Sequence, residues 1–196
     1  MLKPLLLAAA LVMPAAAAPV VGEAAPAFTG KDTKGETVNL SDFAGKTVIL
    51  EWTNNGCPYV KKHYGSGNMQ KTQEAATAEG VVWLTIISSH EGKQGYVTPA
   101  EADAITAEHK ATPTDVILDT DQAIARAYEA KTTPHMFVID PAGKLVYAGA
   151  IDDKPTADPK DLETANNLVL AALDDVKNGR PVATPESEPY GCAVKY

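Results

Sequence analysis

The chain has 196 residues, 17 Lys and Arg against 25 Asp and Glu, and a formal net charge of −8. An acidic chain without a basic cluster is a poor partner for nucleic acid and for anionic membrane surfaces. Its two cysteines are too few for a disulfide scaffold, so a pair between them would serve a site or a single staple.

The opening stretch, MLKPLLLAAALVMPAAAAPVVG, has one early lysine, an apolar run and small residues around Ala15–Ala18. This is the layout of a secretory signal peptide, with cleavage expected after Ala17 or Ala18. The run is short and Ala-rich for a membrane span; an N-terminal anchor is the alternative. The expected organisation is a signal peptide at 1–18, one domain at 19–179 and a tail at 180–196. Export to the periplasm or the medium would place the cysteines in an oxidising compartment.

The DTKGE stretch predicts a hairpin turn, and Ser41–Gly45 a short turn onto the next strand. TVILEWT, 47–53, is a β-branched apolar run that reads as a strand buried on both faces. Cys57 follows it. Tyr59–His63 predicts a first helical turn, interrupted at Gly65-Ser66-Gly67, and NMQKTQEAATAEG resumes as helix with Asn68 as N-cap and Gly80 as stop. VVWLTIISS, 81–89, predicts a second buried strand. Thr98, Pro99 and Glu101 form a capping-box signature for the next helix. DVILD is a third strand, DQAIARAYEA a helix, and MFVID–PAG–KLVYAGA an antiparallel hairpin. Apolar residues from Leu162 to Val176 recur at helical spacing, and Gly179 ends that helix. Alternation of this kind predicts an α/β fold: a central, mostly parallel sheet with helices on both faces and a closing antiparallel hairpin.

In such sheets, sites lie beyond the carboxyl ends of the strands. Cys57 sits there, at an expected helix N-terminus, with Pro58 suited to the first helical position. Free backbone N–H groups and the helix dipole favour a thiolate, and Lys61, with Lys62 or His63, would add positive potential. Lowering a thiol pKa from about 8.5 to about 7 raises the thiolate fraction at neutral pH from roughly 3% to roughly half. The polar TNNG before Cys57 predicts a turn near the surface, so the sulfur is expected to be open to solvent; a buried structural cysteine is the alternative.

APAFTGKDTKGETVNLSDFAGKTVILEWTNNGCP resembles the opening of the peroxiredoxin-like (AhpC/TSA-type) branch of the thioredoxin-fold redoxins, and KTTPHMFVIDPAGKLVYAGAIDD resembles their second half. The resemblance implies a thioredoxin-like fold with an N-terminal extension. It makes Cys57 the redox nucleophile, acting on a peroxide or a disulfide. It makes Thr133-Pro134 the loop whose cis-proline faces that cysteine. His135, next in sequence, is then expected near the sulfur. Two departures stand out: the family's Thr three residues before the cysteine is Asn54 here, and the Arg before the F-x-I-D strand is Pro134. Asn54 would still be able to donate to a peroxide.

Cys192 lies in PYGCAVKY. The tail from Arg180 to Gly191 spans roughly 40 Å when extended, about the diameter of the domain, so Cys192 can reach Cys57 or a neighbour's. Gly191 allows a close approach. Cys192 is therefore a candidate resolving thiol, with a static Cys57–Cys192 staple or an intermolecular bond in a homodimer as alternatives. No cofactor is expected. Cys57, His63, His135 and Cys192 would be the donor set of a metal-carrying or partner-docking alternative; a resident metal is not expected. The partners expected are the substrate and an unidentified thiol reductant protein. The DDKPTADPKD segment reads as a solvated acidic loop.

Overall fold

The computed structural model describes residues 18–196; all but the last residue of the expected signal peptide lies outside the described residues. The chain begins with a small antiparallel hairpin, β1 (Thr29–Lys31) and β2 (Thr37–Asn39). Its turn is closed by Asp32, whose carboxylate accepts the amides of Lys34 and Glu36 at 2.9 and 2.7 Å. A single 3-10 turn, Leu40–Phe43, leads to β3 (Val48–Trp52), every residue of which is buried. That all-buried run is what a central strand requires.

The remaining elements are α1 (Pro58–Gly65), α2 (Asn68–Ala78), β4 (Val82–Ile87), α3 (Pro99–His109), β5 (Asp115–Leu118), α4 (Ala123–Ala127), β6 (Thr132–Thr133), β7 (His135–Ile139), β8 (Leu145–Gly149), α5 (Leu168–Lys177) and β9 (Cys192–Ala193). The main sheet runs β5-β4-β3-β7-β8. β3, β4 and β5 are parallel, while β7 and β8 close the sheet antiparallel. This is the expected thioredoxin-like architecture.

Strand alternation sorts side chains onto two faces. Leu50, Trp52, Leu84, Ile86 and Phe137 pack on one face with Ile124 and Ala125 of α4. Ile49, Trp83, Met136 and Val138 pack on the other with Val60, Met69, Val169 and Leu173 of α1, α2 and α5. No helix among the described residues is long and apolar enough to cross a membrane.

Two local expectations shift, and a third holds. The cap of α2 is Gly67, at φ +78°, and Asn68 is already helical; a left-handed cap costs glycine no Cβ strain. The last helix starts at Leu168, because Asn167 caps it by accepting the Leu170 amide at 2.9 Å, and Pro159–Glu163 forms a separate 3-10 turn. The 98–101 capping box is present: Thr98 Oγ1 accepts the Glu101 amide at 3.3 Å, and Glu101 accepts the Thr98 amide at 2.7 Å.

Candidate active site

Cys57 is the N-cap of α1, with Pro58 at the first helical position. The turn before it is built by Asn54. Its Oδ1 accepts the Gly56 amide at 2.9 Å, its backbone carbonyl accepts the Cys57 amide at 2.9 Å, and its Nδ2 donates to the Gln94 carbonyl at 3.3 Å. Asn54 thus shapes the turn and ties it to the 88–97 loop. Gly95 lets that loop approach: at φ +89°, a Cβ there would lie 2.5 Å from Asn54 Cγ.

The Cys57 thiol donates to the Thr133 carbonyl at 3.1 Å. The Thr133-Pro134 peptide is cis. β6 pairs antiparallel with β9, with Thr133 opposite Cys192. The closeness of this pairing depends on Gly191, at φ +147°, where a Cβ would lie 2.1 Å from the Thr133 carbonyl oxygen. The tail thereby packs Cys192 against the cluster that holds Cys57, where each thiol shifts the ionisation of the other, and both are free thiols. In sequence the two are far apart, and only the β6–β9 pairing joins them.

Cys57 is not open to solvent as the TNNG turn suggests: it is 0% exposed. Thr133 and the returning tail cover it. Cys192 is the half-buried member of the pair. The electrostatics are unequal. Burial pushes the Cys57 thiol up, but the Cys192 thiol, the Val60 and Cys192 amides and the Thr133 hydroxyl favour the anion by more, so it lies below the ordinary cysteine value. Cys192 moves the other way, to about 11, through burial and the proximity of Cys57. The Val60 amide belongs to the first turn of α1, the free N–H supply at a helix start. One sulfur is a better nucleophile and leaving group, and the other is a thiol at neutral pH.

The other expected neighbours are dispersed. Lys61 is exposed, and its amide makes the first helical bond to the Cys57 carbonyl at 2.9 Å. Lys62 and His63 turn away into a buried cluster. His63 Nδ1 accepts from Asn68 Nδ2 at 2.8 Å, and its Nε2 lies 3.2 Å from the Tyr190 hydroxyl. Burial lowers His63 to about 4, with Asp152 opposing and Lys62 adding to the shift. It is therefore neutral at pH 7 and gives the thiolate no positive charge.

His135 does not meet the sulfur either. It shares the sheet face of Phe137, ring centroids 4.3 Å apart, whereas Cys57 packs on the Met136 face. Its Nδ1 accepts the Lys131 amide at 3.2 Å. The four-residue donor set of Cys57, His63, His135 and Cys192 is thus not assembled, and the described residues hold no cluster of three or more His, Cys, Asp or Glu suited to a metal.

Burial lowers His135 to about 3 from an ordinary 6.5. With the folded value depressed, the unfolded chain takes up the proton first, so stability falls as pH drops from 6.5 towards 3. His135→Gln is expected to flatten the pH dependence of the unfolding free energy by one proton, about 1.4 kcal/mol per pH unit. Urea titrations of both proteins across that window measure it; parallel slopes would contradict the assignment.

Sequence reasoning missed two features. Glu51, the single acid in the β3 run, is wholly buried beside Tyr64, Gln73, Trp83 and Thr85; its lone charge inside an apolar strand was the available signal. Asp152 opens the segment read as a solvated loop, yet it is 2% exposed and bonded to Tyr190. Nothing local in the sequence marks that contact.

Comparison with known proteins agrees with this architecture. The thiol-disulfide oxidoreductase ResA of Bacillus subtilis (strain 168) is 29% identical over 125 residues, 64% of this chain and 64% of that protein's length. An uncharacterized conserved protein from Geobacillus kaustophilus superposes with a TM-score of 0.75 at 25% identity, covering 90% of this chain and 92% of that one. The thioredoxin domain of a thiol-disulfide oxidoreductase from Bacteroides vulgatus gives a TM-score of 0.53 at 26% identity, over 66% of this chain and 87% of that one. The model of the AhpC/TSA family matches residues 21–148, from the N-terminal extension through the cysteine turn and the cis-proline loop into the closing hairpin, and the chain belongs to that family.

Proposed function

We propose that this chain is an exported thiol-dependent oxidoreductase, with Cys57 as the redox nucleophile and Cys192 as the resolving thiol. The observation that carries the reading is the meeting of the two sulfurs at the start of α1, one favoured as anion and the other as thiol. On a substrate disulfide, the Cys57 thiolate attacks one sulfur and expels the other as thiolate. Cys192 then loses its proton, attacks the Cys57 sulfur and releases the second substrate thiolate. The substrate is reduced by two electrons and the protein leaves as the Cys57–Cys192 disulfide. A thiol reductant protein returns it to the dithiol. With a hydroperoxide, the same thiolate would take the distal oxygen to give a sulfenic acid, which Cys192 would condense to the same disulfide with loss of water.

Disulfide exchange is the better supported of the two. ResA and the Bacteroides domain are both thiol-disulfide oxidoreductases by name. Asn54 Nδ2 is already bonded to the Gln94 carbonyl, and Pro134 stands at the position of the family's arginine. The decisive comparison is the reduction of insulin disulfides against stopped-flow consumption of hydrogen peroxide. Insulin turnover is expected, together with a peroxide rate close to that of a free thiolate. A peroxide rate orders of magnitude above free cysteine, without insulin turnover, would reverse the assignment.

The complete burial of Cys57 favours a second reading, a redox-inert binding module in which Cys57–Cys192 is a permanent staple. Iodoacetamide trapping after titration with glutathione separates them. A bond that opens and closes reversibly supports cycling, and one that resists the whole range supports the staple.

A further inference from the structure

The tail does not simply drape over Cys57; it is bonded on both sides of Cys192. After it, the Val194 amide donates to the Lys131 carbonyl at 3.0 Å, and the Tyr196 hydroxyl lies 2.9 and 2.7 Å from the carbonyls of Ala125 and Ala130. Before it, Tyr190 enters the cluster formed by Lys62, His63 and Asp152. Its hydroxyl donates to Asp152 Oδ1 and lies 3.2 Å from His63 Nε2. Its ring receives Lys62 Nζ at 5.3 Å from the centroid and meets the Tyr59 ring edge-on at 5.8 Å.

The hydrogen bonds in this cluster have a single consistent sense. Asn68 donates to His63 Nδ1, so a neutral His63 carries its proton on Nε2 and donates to the Tyr190 oxygen, while the Tyr190 proton goes to Asp152. Lys62 balances the carboxylate at 3.8 Å from Oδ2 and also donates to the Lys154 carbonyl at 2.8 Å. The Lys62 and Asp152 side chains are 0% and 1% exposed. Among the described residues Asp152 Oδ2 has no hydrogen-bond partner of its own, so the Tyr190 hydroxyl supplies one of the few bonds that compensate this buried carboxylate. The site holds Tyr190 through charge-assisted contacts two residues before Cys192, with Lys62 and His63 supplied by α1, the helix that Cys57 caps.

We propose that Tyr190 is a positioning residue: its phenol, clasped by Asp152, His63 and Lys62 beneath α1, docks the reduced tail so that the Cys192 sulfur is already beside Cys57 before the disulfide forms. This deepens the reading of Cys192 as the resolving thiol and rests on it. The clasp acts through Cys192 and touches no substrate. Its effect is on the effective concentration of one thiol at the other, because a docked tail has already lost the chain freedom that closing the bond would otherwise cost.

The test is the thiol–disulfide equilibrium of the full chain in glutathione buffers. One glutathione disulfide takes two electrons from the two protein thiols, giving the Cys57–Cys192 bond and two glutathione thiols. Alkylation and mass measurement read the ratio. Tyr190→Phe is expected to lower the effective concentration of Cys192 at Cys57 by roughly tenfold or more, the scale of a lost hydrogen bond to a charged group. Asp152→Asn provides a second route, keeping a carbonyl acceptor for the phenol while removing the charge, and is expected to lie between wild type and Tyr190→Phe. A residue serving global stability alone would lower Tm equally in the dithiol and disulfide forms and leave the equilibrium unmoved; that outcome overturns the clasp while the pairing stands. If wild type never forms the Cys57–Cys192 bond in any glutathione ratio, the resolving role and the clasp fall together.

Discussion

Cys57→Ser is expected to abolish insulin-disulfide reduction, by at least roughly 10³-fold, with an unchanged fold. A serine hydroxyl at this site has no accessible anion near neutral pH and cannot form a disulfide, so both chemical steps disappear together. The fold should survive because the sulfur's structural role is one donated bond to the Thr133 carbonyl, 3.1 Å away, and a hydroxyl repeats it. Cys192→Ser should behave differently. It keeps the nucleophile and loses the thiol that clears it, so the mixed disulfide with substrate accumulates after one turnover. The Cys192 thiol also favours the Cys57 anion; a serine hydroxyl can still donate there, whereas Cys192→Ala removes the donor. Alkylation rates against pH should therefore place Cys57 higher in Cys192→Ala than in wild type. Equal turnover in wild type and Cys57→Ser would remove the cysteine from the chemistry altogether.

The difference between the two sulfurs follows from where the fold puts them. A helix start offers amides, and a cis-proline loop offers a carbonyl and a hydroxyl. The tail then adds a second thiol and a further amide while shutting out water. Burial by itself opposes the anion at both positions, and only Cys57 has enough donors to outweigh it. In the docked state the better nucleophile is covered, and a substrate must displace or slip beneath the tail to reach it. The tail is thus both the resolving arm and the cover of the site in the proposed cycle.

Much of this was legible in the chain. TVILEWT, VVWLTIISS and DVILD declare buried strands by β-branched runs, and the Thr98–Glu101 box declares a helix start, because these signals are local. The position of Cys57 at the end of a central strand follows from the same pattern. The surroundings of the sulfur were harder. His135 follows Pro134 directly, yet pleating sends its ring to the Phe137 face; adjacency in sequence says nothing about face, whereas alternation would have. The tail has no period at all. Its pairing with Thr133 and its Tyr190–Asp152 contact join segments 59 and 38 residues apart, held by Gly191 and by buried charge. Pairings of that range leave no local trace, and so a basic first turn around Cys57 was expected where the fold instead sinks Lys62 and His63 into the clasp.

Glu51→Ala is expected to destabilise the folded chain by about 3–5 kcal/mol. The carboxylate is fully buried in β3, and its oxygens accept from Tyr64 Oη at 2.8 Å, Gln73 Nε2 at 3.2 Å, Trp83 Nε1 at 2.8 Å and Thr85 Oγ1 at 3.1 Å. Those donors come from α1, α2 and β4, so one side chain ties the helix that bears Cys57 to the sheet. Truncation strands four donors in a site that water reaches poorly, and each unpaired group costs about 1–3 kcal/mol before relaxation. Glu51→Gln separates charge from hydrogen bonding. With its carbonyl at the Oε2 position it still accepts from Trp83, Gln73 and Thr85, and its amide at the Oε1 position faces only the Tyr64 hydroxyl, which can turn to accept; a loss of about 1–2 kcal/mol is expected. The pH dependence differs as well. Burial raises the Glu51 carboxyl above its ordinary 4.5, with the four donors only partly offsetting it. The folded chain therefore holds this proton more tightly than the unfolded one, and wild type loses stability as pH climbs from 4.5 through the raised value. Glu51→Gln lacks that loss. Urea unfolding of the three proteins across this range measures both effects, and an alanine variant within about 1 kcal/mol of wild type would mean that the network relaxes onto other acceptors.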